Sequence, residues 1–393
     1  MNRLALRPLG ALLVSVLVAT AASAADAPNA PATEAPAAAS APAAQTGMPA
    51  SEAPAAAALP VVTPPVAPKK PEITLRFGTI NTPTQATYKN NLVPLVEAIE
   101  RDSAGRIKVE LGELNKFGRP PELLPKLEKG ELDMAATVHG YHPGRFPRSE
   151  IMELPLIFPT AAVGTEAMWK LYEEGLIAED YKDLRVLSLY VLPPYSVFFA
   201  DHKVESPRQL RGVSVRAPSR TIGEALDRLG MVPLGLPFNV SGDYVAQGLL
   251  EAVNLTWDTV QTTKVGKDSF LVNHVKQGLD LRFAAPALMI VMNKARYDAM
   301  PEDLRKVIDK NTGRDFTMAM ASSRDAANAE ARDKFAKEPG KQVYELKSEH
   351  RREVTERIEP VIAKWVAEKK AAGIDGQALL TRVRALVAAN EKR

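Results

Sequence analysis

The 393-residue sequence contains no cysteine, which excludes a disulfide framework, thiolate chemistry and a thioether lipid anchor. The fold must stand on its core alone. Long apolar runs are missing too, since no segment reaches the ~18 to 20 residues of a membrane-spanning helix. The apolar run from Leu9 to Ala21 is shorter; Arg3 and Arg7 precede it and the small-residue site Ala22-Ser23-Ala24 follows. This is the pattern of a secretory leader cut after Ala24, and because the two arginines are not a twin pair, export in the unfolded state is expected. No strong excess of one charge exists: 50 Lys and Arg against 47 Asp and Glu give +3, with both signs interspersed. Neither nucleic acid nor an anionic membrane is implied as a partner.

Between Ala25 and Pro71 there is no aromatic residue, and Ala and Pro dominate. Such a stretch cannot offset the entropy of ordering, so a disordered or polyproline-like tether is expected, either a spacer or a neutral extension. Catalytic signatures are also absent. There is no Gly-x-Ser-x-Gly elbow and no His-Glu-x-x-His, and the scattered Asp and Glu do not single out a carboxylate pair. His139 and His142 are three apart, a spacing that suits two ligands on a helix, but Gly140 and Pro143 argue against a helix there and no third ligand is near. No metal, cofactor or catalytic residue is expected.

The chain from Glu72 onward is too long for one core and suggests two lobes. Alternation at Ile73, Leu75 and Phe77 predicts a strand. Leu92, Leu95, Val96 and Ile99 then share a helical face, with Pro94 expected to kink it and Gly105 to close it. A strand at Ile107 to Leu111, a helix with Leu123, Leu124 and Leu127 ending at Gly130, and a strand from Leu132 to Thr137 complete a β-α-β-α-β order. The order returns with a strand at Val213 to Arg216, a helix stopped by Gly230, a strand at Val232 to Leu236, a short helix ending at Gly248 and a strand at Leu249 to Leu255. Two such units imply two α/β lobes, with ligand space outside the carboxyl ends of their strands. Met300 to Lys310 begins a helix that Ala319 to Lys337 could prolong along both lobes. Val354, Ile358, Val361, Ile362 and Trp365 form another stripe, interrupted by Pro360.

Several segments resemble those of one family. Gly105-Arg106-Ile107, Gly130-Glu131-Leu132-Asp133-Met134-Ala135, Pro143-Gly144-Arg145-Phe146-Pro147 and Glu153-Leu154-Pro155 are similar to the first lobe of TRAP-type (tripartite ATP-independent periplasmic) solute-binding proteins, the DctP-like family. Leu210-Arg211-Gly212-Val213-Ser214-Val215-Arg216-Ala217-Pro218 resembles that family's signature segment, and Met292-Asn293-Lys294 with Met300-Pro301-Glu302-Asp303 its late strand-and-helix junction. The sequence departs from the family where an acidic residue is usual and Val240 stands. A second arginine that dicarboxylate binders carry upstream has no counterpart in Tyr195-Ser196-Val197-Phe198-Phe199. Thr256-Trp257-Asp258 is similar to a Pro-Trp-Glu branch.

The resemblance implies a periplasmic-binding-protein-like α/β fold with a hinge and a cleft. Its divisions are a leader at 1–24, a linker at 25–71, lobe I at 72–195, lobe II at 196–283, and at 284–393 a return to lobe I with long C-terminal helices bridging the lobes. It implies a periplasmic monomer that is not an enzyme, takes up a small organic acid and delivers it to small and large TRAP membrane subunits. A ligand sensor on the same fold, or a secreted hydrolase, is the alternative.

The family's corresponding arginine holds the ligand carboxylate, which points to Arg216. Its place at a strand end before Pro218 suits this, because guanidinium matches a carboxylate with two parallel bonds. Without the resemblance, a structural ion pair fits the residue as well. Asn254 and Trp257, where the second lobe's last strand returns to the cleft, are candidates for an amide contact and an apolar lid, with a core or hinge role as the alternative for Trp257. Gln85, Tyr88 and Tyr141, beyond the first and third strands, are the candidates from the opposite lobe, or ordinary packing residues. One arginine with Trp257, Tyr195, Phe198 and Phe199 favours a monocarboxylate with an apolar or aromatic body.

Overall fold

The computed structural model describes residues 71–391. The leader expected at 1–24 and all but the last residue of the tether expected at 25–71 lie outside the described residues. β1 (Ile73–Thr79), α1 (Val93–Asp102), β2 (Ile107–Leu111), α2 (Leu123–Glu128) and β3 (Met134–Val138) follow in the predicted order. The periodic residues that predict them, among them Leu75, Phe77, Leu95, Ile99 and Val109, are buried. Pro94 follows closely on a π turn at Tyr88–Leu92 that runs into α1. A proline removes one helical N–H, and local widening of the helix to a π turn is a way to accommodate the lost bond.

After α3 (Ala161–Glu173) and β4 (Leu184–Val191) the chain crosses to a second lobe. This holds β5 (Ser196–Phe199), β6 (Ser214–Ala217), α4 (Arg220–Arg228), β7 (Val232–Gly235), α5 (Phe238–Ala246), β8 (Ala252–Leu255) and α6 (Trp257–Thr262). A small hairpin, β9 (Lys264–Val265) and β10 (Ser269–Phe270), and β11 (Gln277–Leu279) follow. β12 (Ala287–Asn293) then re-enters the first lobe, leading to α7 (Lys294–Asp298), α8 (Glu302–Asn311) and α9 (Arg314–Lys337). β13 (Gln342–Tyr344), α10 (Ser348–Ile358), α11 (Pro360–Ala371) and α12 (Gly376–Asn390) complete the described chain.

The first sheet runs β2-β1-β3-β12-β4 and the second β13-β11-β5-β8-β6-β7. β1 is parallel to β2 and β3, and β6 is parallel to β7 and β8. Each lobe therefore gathers strand carboxyl ends on one edge, where α/β sheets place ligands. β12 pairs antiparallel with both β3 and β4, which locks the returning chain into the middle of the first sheet.

Met300 to Lys337 is two helices rather than one prolonged helix. Gly313, at φ 85°, breaks the path and its N–H donates to Leu187 O at 2.7 Å, a turn that a residue with a Cβ would strain. The 24 residues of α9 span about 36 Å at helical rise. The helix starts against β4, where Thr317 Oγ1 donates to Ser188 Oγ at 2.8 Å. It ends with Phe335 against Trp257 in the second lobe. α9 is thus a strut along both lobes.

Candidate functional site

Four passages join the lobes: Leu192–Tyr195, Asp280–Pro286, α9 and α11. Asp280 anchors the second of them. Its carboxylate accepts from Ser196 Oγ, Arg282 and Arg332, and although burial pushes its acidity down, the two arginines outweigh this and hold its pKa low. Arg282 itself takes a left-handed backbone, φ 49°, and its side chain turns back onto the Asp280 carboxylate. On the outer face, Arg220 of α4 bonds Glu368 of α11 at 3.0 Å, and Lys369 of α11 bonds Glu150 of the first lobe at 2.5 Å.

Between the lobes lies a cavity lined by aromatic and aliphatic side chains with a few polar groups, the character of a small-molecule site. Gln85, Tyr141 and Tyr190 line it from the first lobe, Tyr195, Arg216 and Phe238 from the second, and Arg324 from α9. Arg216 stands one residue before the end of β6 and is 1% exposed. Its Nε donates to Leu236 O at 2.8 Å, Nη1 to Asn254 O at 3.2 Å and Nη2 to Tyr141 Oη at 3.3 Å. None of these acceptors is anionic. A guanidinium has five N–H groups, so these three bonds do not exhaust it, and it lies in a place where an uncompensated charge is costly.

Tyr141 belongs to the first lobe, yet its hydroxyl accepts from both Arg216 and Phe238 N, the latter at 3.1 Å. It ties the lobes across the cleft and keeps its own proton to donate. Tyr195 is buried beside Arg216; burial raises its pKa above the phenol range and Arg216 only partly opposes this, so the hydroxyl stays neutral. Gln85 Oε1 accepts from Asn81 Nδ2 and Thr82 N, which orients its amide at the cavity wall.

The other candidates lie off the cavity wall. Asn254 is fully buried in β8; its carbonyl serves Arg216 and its Nδ2 donates to Ser196 O at 3.2 Å. Tyr88 is half-buried in the turn before α1 and packs on the first lobe's core. Trp257 opens α6 but turns inward, edge-to-face with Phe198 at 4.6 Å and with Phe335 at 5.3 Å. The neighbour that reaches the cavity is Asp258. Asp258 Oδ2 accepts from Arg324 Nη1 at 2.5 Å and Oδ1 from Nη2 at 3.3 Å.

Neither Arg324 nor Asp258 is singled out by the sequence reading. A signal exists all the same: Thr317, Met320, Ala321, Arg324, Ala331 and Phe335 form the buried face of α9, and an arginine within such a stripe needs a partner. His139 and His142 each have their own hydroxyl, His139 Nε2 with Tyr181 Oη at 2.6 Å and His142 Nε2 with Thr137 Oγ1 at 3.1 Å. Burial pulls their pKa values down to about 3 and about 4.

Glu153 lines a separate pocket with His139, His142 and Ser219; it is 2% exposed in the first lobe and accepts from Ala287 N at 3.0 Å. Burial pushes its pKa up to about 7, against bonds from Ser219 of the second lobe and from Ala287. The folded protein therefore holds a proton that the unfolded chain releases near pH 4.5. Between those values, stability falls as pH rises. Glu153→Gln should match wild type at pH 4 and gain on it through pH 7, by roughly 3 kcal/mol at the plateau. The difference between the two proteins' melting temperatures against pH checks this, since His139 and His142 contribute equally to both; a constant difference would refute it.

The family model for bacterial extracellular solute-binding proteins, family 7 (DctP), matches residues 77–369. A TRAP solute-binding protein from Rhodoferax ferrireducens in complex with copurified benzoate is 28% identical, with a TM-score of 0.76 over 81% of this chain and 98% of that one. A marine metagenome TRAP solute-binding protein specific for aromatic acid ligands, in complex with 3-hydroxybenzoate, is 26% identical, with a TM-score of 0.75 over 81% of this chain and 99% of that one. The outer membrane transporter protein TsaT of Comamonas testosteroni is 24% identical over 328 residues, 83% of this chain and 95% of its own. With its two lobes, interlobe cavity and a family match over most of its length, the chain belongs to family 7 of the bacterial extracellular solute-binding proteins, the binding components of TRAP transporters.

Proposed function

We propose that this protein captures a monoanionic aromatic carboxylate between its lobes and presents the closed form to the small and large membrane subunits of a TRAP transporter. It works as a periplasmic monomer, exported by the leader at 1–24, with 25–71 as its tether. The observation that carries the reading is Arg216, a buried guanidinium whose hydrogen bonds all end on neutral oxygens. A ligand carboxylate supplies the missing counter-charge in forked geometry. Tyr141 and Tyr195 line the cavity with it, and Tyr190 and Phe238 add aromatic side chains to the wall, which suits an aromatic body. The benzoate and 3-hydroxybenzoate held by the relatives from Rhodoferax ferrireducens and the marine metagenome agree with this. Closure rests on the same contacts: Tyr141 reaches Arg216 and Phe238 N from the opposite lobe, and a carboxylate on Arg216 adds to what favours the closed form.

Titration calorimetry with benzoate, 3-hydroxybenzoate and aliphatic acids tests the reading. One aromatic acid is expected to bind per chain and to be recovered unchanged. Tyr141→Phe removes one acceptor from two buried donors, at a cost of about 1 to 3 kcal/mol, so its dissociation constant should rise roughly 5- to 150-fold. A protein that binds no organic acid would sink the reading. A Tyr141→Phe variant that binds like wild type would remove only the latch.

A further inference from the structure

We propose that Asp258 sets the charge of the ligand: by occupying Arg324 it holds the cavity at one net positive charge and confines it to monoanions. The inference rests on the carboxylate reading of Arg216. Two arginines and one aspartate are the charged side chains among the cavity-lining residues, Arg216, Arg324 and Asp258. Among the described residues Arg216 has no anionic partner, whereas Arg324 meets both oxygens of Asp258. Arg324 is 4% and Asp258 7% exposed, so solvent does little to screen them.

Rigid elements fix the pair. Asp258 is in the first turn of α6, and the N–H of the preceding Trp257 donates to Asn328 Oδ1 at 2.8 Å, one turn beyond Arg324 on α9. A second ligand carboxylate arriving here would meet the Asp258 charge in a dry site or have to pull Arg324 away from it. Either is costly where desolvated charges must be matched. A ligand hydroxyl, by contrast, can donate to Asp258. The second cation that a dicarboxylate needs is present in this cleft, on α9, and Asp258 neutralises it.

The test compares isophthalate with its monomethyl ester, which keeps the shape and removes one charge. Calorimetry on the purified wild type should favour the ester by about 100-fold or more, and Asp258→Asn should shift that ratio toward isophthalate by at least about 30-fold. The double variant Asp258→Asn/Arg324→Gln, with net charge again +1, should return to the ester. A folded Asp258→Asn whose ratio stays within threefold of wild type overturns the gate and leaves Arg216 as the anchor. A wild type that binds neither compound nor benzoate overturns the carboxylate reading itself, and the gate with it. Should Asp258→Asn fail to fold with Arg324 left unpaired, Arg324→Gln decides. It leaves the cavity neutral overall, so benzoate should bind about 10-fold or more weaker, and undiminished benzoate affinity overturns the gate.

Discussion

Arg216→Ala is expected to raise the dissociation constant for the aromatic acid by about 30-fold to several thousand-fold, the roughly 2 to 5 kcal/mol that truncating one side of a buried charge pair costs. The ligand carboxylate would still lose its water on closure but would find neutral donors such as Tyr141 and Tyr195 in place of the guanidinium. Stability should respond in the opposite sense. In the ligand-free protein Arg216 is a buried cation bonded to Leu236 O, Asn254 O and Tyr141, and such a charge opposes folding unless compensated. Its removal should leave the melting temperature of the free protein unchanged or higher while abolishing the rise that ligand brings. Arg216→Lys should recover little, because an ammonium cannot reach Leu236 O and the carboxylate with one planar fork. Calorimetric titration together with melting curves, with and without ligand, reads both effects. Binding within threefold of wild type in Arg216→Ala would mean that the carboxylate sits elsewhere.

Arg216 stands out through the resemblance of its segment to the family's signature; its place at a strand end before Pro218 suits that reading, since strand ends face the ligand edge in α/β sheets, but position alone leaves a structural ion pair open. The repeated strand and helix alternation was legible from the residues themselves, since β1, α1, β2 and α2 each bury one face and carry a period. β4 and β12 do not. Both are buried along nearly their whole length, so their apolar runs have no alternation to read. These two strands, with β5 and β11, make the crossings on which the hinge depends.

Arg324 was hidden for a different reason. α9 has the polar, alanine-rich composition of a surface helix, and only its pairing with α6 shows that the arginine points to the cleft. Sequence spacing places residues on a helix face; which neighbour meets that face is decided by packing over 66 positions of chain separating Asp258 from Arg324. The Thr256-Trp257-Asp258 triplet shows the same limit. Its position next to the cleft can be read from β8, but which of two adjacent side chains turns toward the cavity depends on how α6 starts. Thr256 caps that helix by accepting from Thr259 N, and the first turn then presents Asp258 to the cavity and Trp257 to the interior.

Trp257→Ala should therefore act on stability before it acts on ligand choice. The indole is 2% exposed and joins four elements: it opens α6, meets Phe198 of β5 and Phe335 of α9, and lies over Gly278 of β11. Gly278 has no room for a side chain, since a Cβ there would come within 2.3 Å of the Trp257 Cη2 atom. Removing so large a buried aromatic leaves a cavity that rigid strands cannot close, and such losses run to about 3 to 5 kcal/mol. At a few degrees per kcal/mol, the melting temperature should fall by roughly 10 °C. Trp257→Phe should restore a good part of it, because a ring still reaches Phe198. Since the Trp257 N–H also holds Asn328 and the next residue is Asp258, a loosened α6 would weaken large and small acids alike. The measurement is a pair of melting curves with titrations of benzoate and acetate. A variant that keeps its melting temperature but loses only the larger acid would show that the indole reaches the ligand, and the inward packing argued here would be wrong.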